Sequence, residues 1–270
     1  MRLSRWMAWG LTAGALSLSA CSSGTEAGPA LAAGQGVSED PTEAAHWGLL
    51  REALDKVSLR ADQKTEVDQM AAAAKARHEG VRAAHAALRG AIADQVLAGK
   101  IDRAALKPQI AALLAAVDQA RPDDRAALVR LHDLLDSKQR GELVDAVESS
   151  FRSRMREHHG RGGPRQWAAD LNLSDAQRDQ IKVAMRDQFH QNGEAMREQW
   201  RGTHEQGRRL LLSFREEKFT LDGAAPLFGR DKIEHGIDRM LDLASVALPV
   251  LLPEQRTIAA QKIRTEGFRH

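Results

Sequence analysis

The stretch Leu173-Ser174-Asp175-Ala176-Gln177-Arg178 is one of four copies of a short pattern: a leucine, three residues, a glutamine, then a basic residue. The other copies are Leu59-Arg60-Ala61-Asp62-Gln63-Lys64, Leu135-Asp136-Ser137-Lys138-Gln139-Arg140 and Leu251-Leu252-Pro253-Glu254-Gln255-Arg256. The first two start 76 residues apart and the last two 78, and the two halves are offset by 114 and 116 residues. Four copies at two near-equal intervals imply an internal duplication.

Each copy reads as a helix start. With Ser174 as the N-cap, Gln177 is the third helical residue. The serine oxygen then accepts from the Gln177 amide while the glutamine side chain reaches back to the cap amide. Asp136 and Gln139 repeat this box. The first copy departs, with Arg60 in the cap position. The fourth departs with Leu252, although Pro253 suits the first helical position. Leu59, Leu135, Leu173 and Leu251 face a cation four residues into the helix, so each is expected to dock on another helix. The motif residues Leu59, Gln63, Leu135, Asp136, Gln139, Leu173, Ser174, Gln177, Leu251 and Gln255 are structural in this reading, none catalytic.

Working outward, apolar residues recur at helical spacing on both sides of the motifs. Trp47, Leu50, Leu54 and Val57 form one stripe. Val67, Met70, Ala74, Val81, Leu88, Ile92 and Val96 suggest a single helix of about nine turns. Leu106 to Val117 form a third stripe, capped by Asp102. Leu128 to Val147 form a fourth, broken near Asp136. After Gly160-Arg161-Gly162-Gly163-Pro164, the strongest breaker in the chain, the scheme recurs. One long helix carries Ile181, Met185, Phe189, Met196, Trp200, Leu210, Leu211 and Phe214. The next carries Ile233 to Ala244, and Ile258, Ile263 and Phe268 close the chain. No strand pattern competes. Aromatics are 4% with no tyrosine, while Ala, Leu, Arg, Gln and Glu abound, a composition that favours helix over sheet.

The 39 basic and 37 acidic side chains leave a net charge of +2, and Arg2 and Arg5 account for it. A globally basic nucleic-acid binder is disfavoured. Cys21 is the single cysteine, which excludes a disulfide framework. It follows a basic start and a short apolar run, Trp6 to Leu18, too short for an ordinary membrane span. Leu18-Ser19-Ala20-Cys21 resembles the lipobox of bacterial lipoproteins, whose cysteine is lipidated and becomes the mature N-terminus. Ser22 in the next position implies, by the usual sorting rule, the outer membrane. The expected organisation is a signal peptide over 1–20 and a flexible tether over 21–44. A helical unit over 45–159, a linker over 160–164 and a second unit over 165–270 follow.

Paired leucine–glutamine motifs about 75 residues apart on a helical periplasmic chain resemble the LTxxQ motifs of the Spy/CpxP family. The second half, LSDAQRDQI with LLPEQR, is the closer match. The first half, LRADQ with LDSKQR, is more diverged. The resemblance implies an all-α fold of long antiparallel helices and an ATP-independent chaperone or envelope-stress protein that binds unfolded or misfolded envelope proteins on a cradle. Family cradles are homodimers. Two units in one chain imply a monomeric pseudo-dimer, held to the membrane through its lipid anchor and with no nucleic-acid partner. The family also contains metal-binding and metal-sensing members, which keeps a metal-binding role open. A structural envelope lipoprotein is a further alternative.

No nucleophile elbow, phosphate loop, dinucleotide turn, zinc-protease motif or calcium loop is present, so no catalytic residue and no cofactor is assigned. None of the ten histidines lies three or four residues from another, so no helix offers a two-histidine chelate, and no metal ligand is assigned. His132 with Asp136, His190 with Glu194 and His235 with Asp231 are candidate histidine–carboxylate pairs. Arg152, Arg154, Arg156, Arg161 and Arg165 form a local basic cluster and are the candidate client contacts. Met196 and Trp200 suit adaptable contacts, but their stripe positions favour the core.

Overall fold

The computed structural model describes residues 49–158, 164–221 and 230–266; the side chains of 154–158, 164–165, 187–200, 203–204 and 266 fall outside that description. The expected signal peptide over 1–20, Cys21, the expected tether over 21–44 and Gly160 to Gly163 lie outside the described residues. Among those described, all regular structure is helical. A helical segment at 49–54 (α1) leads to α2 (Ala61–Arg77), α3 (Glu79–Ala98), α4 (Arg103–Leu134) and α5 (Ser137–His158). The second half contains α6 (Pro164–Asp170), α7 (Asp175–Ser213), α8 (Arg230–Ala247), a 3-10 turn (Leu248–Val250) and α9 (Pro253–Glu266).

Two stripes are divided differently from the sequence expectation. The long run from Val67 to Val96 is not one unbroken helix but two, α2 and α3, meeting at His78, whose φ of −85° and ψ of 2° lie off the helical values. The backbone ladder still runs through, with His78 N–H donating to the Ala74 carbonyl at 3.0 Å and Arg82 N–H to the His78 carbonyl at 2.9 Å. The Arg82 guanidinium donates to the Lys75 carbonyl at 2.9 Å, and His78 itself is tied to Asp124 of α4. Conversely, the third stripe and the start of the fourth belong to one helix, α4, which runs through Pro122. A helix-interior proline costs roughly 3 kcal/mol. Leu113, Leu114, Ala120 and Leu131 are buried along α4 on both sides of it, and each buried leucine returns about 1.5–3 kcal/mol.

The reversal between α3 and α4 is closed by its own residues. Gly99 ends α3 with φ 76°, and Lys100 N–H donates to the Gln95 carbonyl at 3.1 Å. The Gln95 side chain then clips Asp102, accepting from its N–H at 2.7 Å and donating to its carbonyl at 3.1 Å. Asp102 caps α4 by accepting from the N–H groups of Ala104 and Ala105 at 3.0 and 3.2 Å.

Two apolar cores form, and each draws side chains from both halves of the sequence. One joins Leu88, Ile92 and Val96 of α3 and Leu106 of α4 to Leu173, Leu241, Leu251 and Ile263. The other joins Leu54, Leu131, Leu135, Leu143 and Val144 to Phe214, with Phe219 against it. α3 and α9 run antiparallel, since Asp94 pairs with Arg264 while Gly99 lies beside Arg256. α4 and α8 are antiparallel too, with Arg103 on Asp242 and Asp118 on Arg230. Such exposed pairs contribute about 0–1 kcal/mol each, so the shared cores carry most of the association.

Candidate functional site

The four motif glutamines meet in two pairs. Gln63 and Gln139 are 0% and 4% exposed and bond head to head. Gln63 Nε2 donates to Gln139 Oε1 at 2.8 Å, and Gln139 Nε2 donates to Gln63 Oε1 at 2.8 Å. The second amide hydrogen of each reaches a carbonyl at the other helix's entrance: Leu134 at 2.6 Å from Gln63, Ser58 at 2.9 Å from Gln139. Each Oε1 also accepts its own cap amide, Arg60 N–H and Asp136 N–H, both at 3.0 Å. An uncharged amide offers two donors and two acceptor sites, and both glutamines use all four. This first clasp ties the starts of α2 and α5 together.

The second clasp repeats the arrangement at the starts of α7 and α9. Gln177 Nε2 donates to Gln255 Oε1 at 2.8 Å and to the Val250 carbonyl at 2.8 Å. Gln255 Nε2 donates to Gln177 Oε1 at 3.2 Å and divides its remaining capacity between the Leu171 and Asn172 carbonyls at 3.2 and 3.4 Å. The cap amides of Ser174 and Leu252 donate to the glutamine oxygens at 3.0 and 2.9 Å.

The cap side chains differ among the four copies. Ser174 Oγ accepts from Gln177 N–H at 3.2 Å, and Asp136 Oδ1 accepts from Gln139 N–H at 2.9 Å. Arg60 has no acceptor atom to offer and pairs with Asp62 at 3.3 Å. Leu252 is exposed, and Pro253 is the first residue of α9. Leu135, Leu173 and Leu251 are buried in the cores, and Leu59 packs against the first-clasp core. The cross-pairing of the glutamines escapes a local reading, because each capping box uses only half of the amide. The signal that points to it is the near-equal interval, 76 and 78 residues, within each half.

Each clasp has residues of the other half beside it. The compact α3–α4 reversal lies beside the second, with Gly99 against the Arg256 guanidinium. Beside the first lies an irregular strap, residues 214–221, that follows α7. Phe214 is buried, and Phe219 packs against the same core. His132 of α4, 2% exposed, stands between them. Its ring stacks on Phe219 with centroids 5.1 Å apart and meets Phe214 edge-on at 5.2 Å. His132 Nε2 lies 2.8 Å from the Glu216 carbonyl. A carbonyl only accepts, so Nε2 carries a proton. Arg125 donates to the Leu221 carbonyl at 2.6 Å, and Arg215 pairs with Asp145 of α5 at 2.5 Å.

His132 therefore does not pair with Asp136, whose carboxylate caps α5. It engages the strap, with Asp133 Oδ1 3.3 Å from its Nδ1. His235 contacts the Asp231 backbone carbonyl at 2.5 Å rather than the carboxylate. His190, Met196 and Trp200 have side chains outside the described residues. Arg152 is exposed and pairs with Glu148 at 3.2 Å. The side chains of Arg154, Arg156, Arg161 and Arg165 lie outside the described residues, so the basic cluster is represented there by Arg152 alone. Among the described residues no group of three or more His, Cys, Asp or Glu is gathered in metal-binding geometry.

Between the two ends, Asp124 receives His78 Nε2 at 2.8 Å and Arg77 at 3.0 Å. Burial pushes its carboxyl up, but the His78 and Arg77 hydrogen bonds and charges outweigh this and hold it below the usual carboxylate range. Near the second clasp, the Lys262 ammonium and then the Gln166 amide hold the Asp170 carboxyl low. Lys262 also sits over the Trp167 ring, 5.8 Å from its centroid. No protein family, curated protein or solved structure that was compared matches this chain.

Proposed function

We propose that the chain is an ATP-independent chaperone of the bacterial envelope, built as two Spy-like units in tandem that pair into a pseudo-dimeric cradle on a lipid anchor. The observation that carries this function is the repeated glutamine clasp. Each half brings its two leucine–glutamine motifs together in the same reciprocal amide pair. The near-equal spacing of the motifs and their one job in both halves, tying two helix starts, support this reading. The cores shared between halves fit the pseudo-dimer, since each half supplies what a second chain supplies in the family's homodimers. The long α7, 39 residues or about 58 Å at 1.5 Å per residue, suits the wall of a cradle. The site chemistry is amide pairing, aromatic packing and exposed ion pairs, which suits holding a polypeptide without consuming a nucleotide.

The test uses soluble protein from Ser22 onward in an aggregation assay with a denatured protein, without nucleotide and with and without chelator. Suppression at near-stoichiometric ratio, unchanged by chelator, is the expected result. Continued aggregation at several-fold excess, together with tight zinc, nickel or copper binding by calorimetry, overturns it in favour of the metal-binding alternative.

A further inference from the structure

The strap beside the first clasp is bound the way a peptide ligand is bound. Its two aromatic anchors, Phe214 and Phe219, enter a groove between α4 and α5 formed by Leu131, Leu135, Leu143 and Val144. Its backbone is read by side chains of α4, through His132 on the Glu216 carbonyl and Arg125 on the Leu221 carbonyl. Of the residues between the anchors, Arg215 pairs with Asp145 of α5, while Glu216, Glu217 and Lys218 are exposed. Recognition thus uses two rings, two carbonyls and one ion pair, and takes little from the other intervening side chains. The first clasp ties the start of α5 to the start of α2 and to the end of α4, through Gln63 on the Leu134 carbonyl, without using a strap atom. The reversal beside the second clasp is different. It closes on its own residues, Gln95 with Asp102 and Asp102 with Ala104.

We infer that residues 214–221 are an internal occupant of a docking groove on the first half, and that the groove's external partner is an unfolded polypeptide segment carrying two aromatic residues about five positions apart. Unfolded segments expose such rings together with unpaired carbonyls. A buried aromatic anchor supplies a large share of binding energy, while capture of backbone carbonyls is indifferent to sequence. The tethered strap competes at an effective concentration of roughly millimolar, so it screens out weak or folded contacts and yields to segments with both anchors. This partner class rests on the chaperone function proposed above.

The probe is a fluorescent peptide with the strap's own sequence, FREEKFTL. Its anisotropy is measured on the full soluble chain, on Phe214→Ser/Phe219→Ser, and on Arg125→Gln, which keeps both rings and the apolar core. The double variant is expected to bind the peptide at least ten-fold more tightly than the wild type, with Arg125→Gln in between. Hydrogen exchange over 214–221 should rise in Arg125→Gln while the start of α9 stays protected. A peptide with both phenylalanines replaced by serine should not bind. Equal affinity for all three proteins, or binding that survives loss of the peptide's rings, overturns the groove. If the double variant loses its helical circular dichroism, the Arg125→Gln comparison alone decides. Aggregation suppression by the wild type without this affinity difference sinks the groove and leaves the chaperone standing. The affinity difference without suppression by any form sinks the chaperone reading and, with it, unfolded clients as the partner.

Discussion

The two clasps are the same piece of chemistry in different surroundings. In the first, both glutamines are almost wholly buried, and the two amides exchange bonds of equal length, 2.8 Å each way. In the second, Gln177 keeps some exposure, the return bond lengthens to 3.2 Å, and the Gln255 amide divides its donors among three oxygens. A hydrogen bond gains little net free energy on folding, whereas a buried partner left unsatisfied costs about 1–3 kcal/mol. Burial, and not the number of bonds, therefore sets what each clasp is worth. The first is a fixed point of the fold, and the second is a joint that solvent reaches at Gln177, while Gln255 stays buried.

The largest expected effect separates the two directly. Gln139→Ala strands the buried Gln63 amide, the Ser58 carbonyl and the Asp136 amide together, and should cost roughly 3–4 kcal/mol. Gln177→Ala, where water can replace part of the loss, should cost roughly 1–2 kcal/mol. Urea unfolding of both variants measures the difference, and equal losses would remove the distinction between fixed point and joint. A smaller effect tests the region between the ends. Asp124→Ala should cost roughly 2–3 kcal/mol at neutral pH, as expected for hydrogen bonds to a charged group. The Asp124 carboxyl is held low in the fold, so its contribution is complete above about pH 4 and is lost as pH falls through the folded value. The gap between wild type and variant should close on acidification, and a gap that persists there would assign the loss to packing. The smallest effect falls on the reversal beside the second clasp. Gly99→Ala must hold φ at 76° and crowd the Arg256 guanidinium, at roughly 1–2 kcal/mol for the backbone. Hydrogen exchange should rise at the start of α9 and not at 214–221; a rise at both would mean that the ends are coupled.

What was legible in the sequence was local. Helix starts at Ser174, Asp136 and Asp102 announce themselves because a cap and its amide lie within three residues, and the apolar period gave the all-helical class. The break at His78 leaves no local trace, since its side chain answers to Asp124, 46 residues on. The continuity of α4 through Pro122 was hidden for the opposite reason: the proline is a strong local signal that tertiary burial overrules. His132 illustrates the limit most plainly. Sequence proximity nominates Asp136, but its partner is a carbonyl 84 residues away, and nothing within a helical turn of His132 encodes that. The glutamine pairs lie in between, invisible locally yet foreshadowed by the repeat interval.

The clasps and shared cores also turn the helices into gauges. The path α2–α3 is pinned at Gln63 and again where Leu88, Ile92 and Val96 enter the second half's core; α7 is pinned at Gln177 and again at Leu211 and Phe214. A residue inserted between two pins advances the helix by 1.5 Å and rotates everything beyond it by about 100°. One pin would then have to let go. Length changes in these helices are tolerable only in steps near a whole number of turns, such as seven residues, matched in both halves. Single-residue drift belongs in the connections, where no second pin checks the phase.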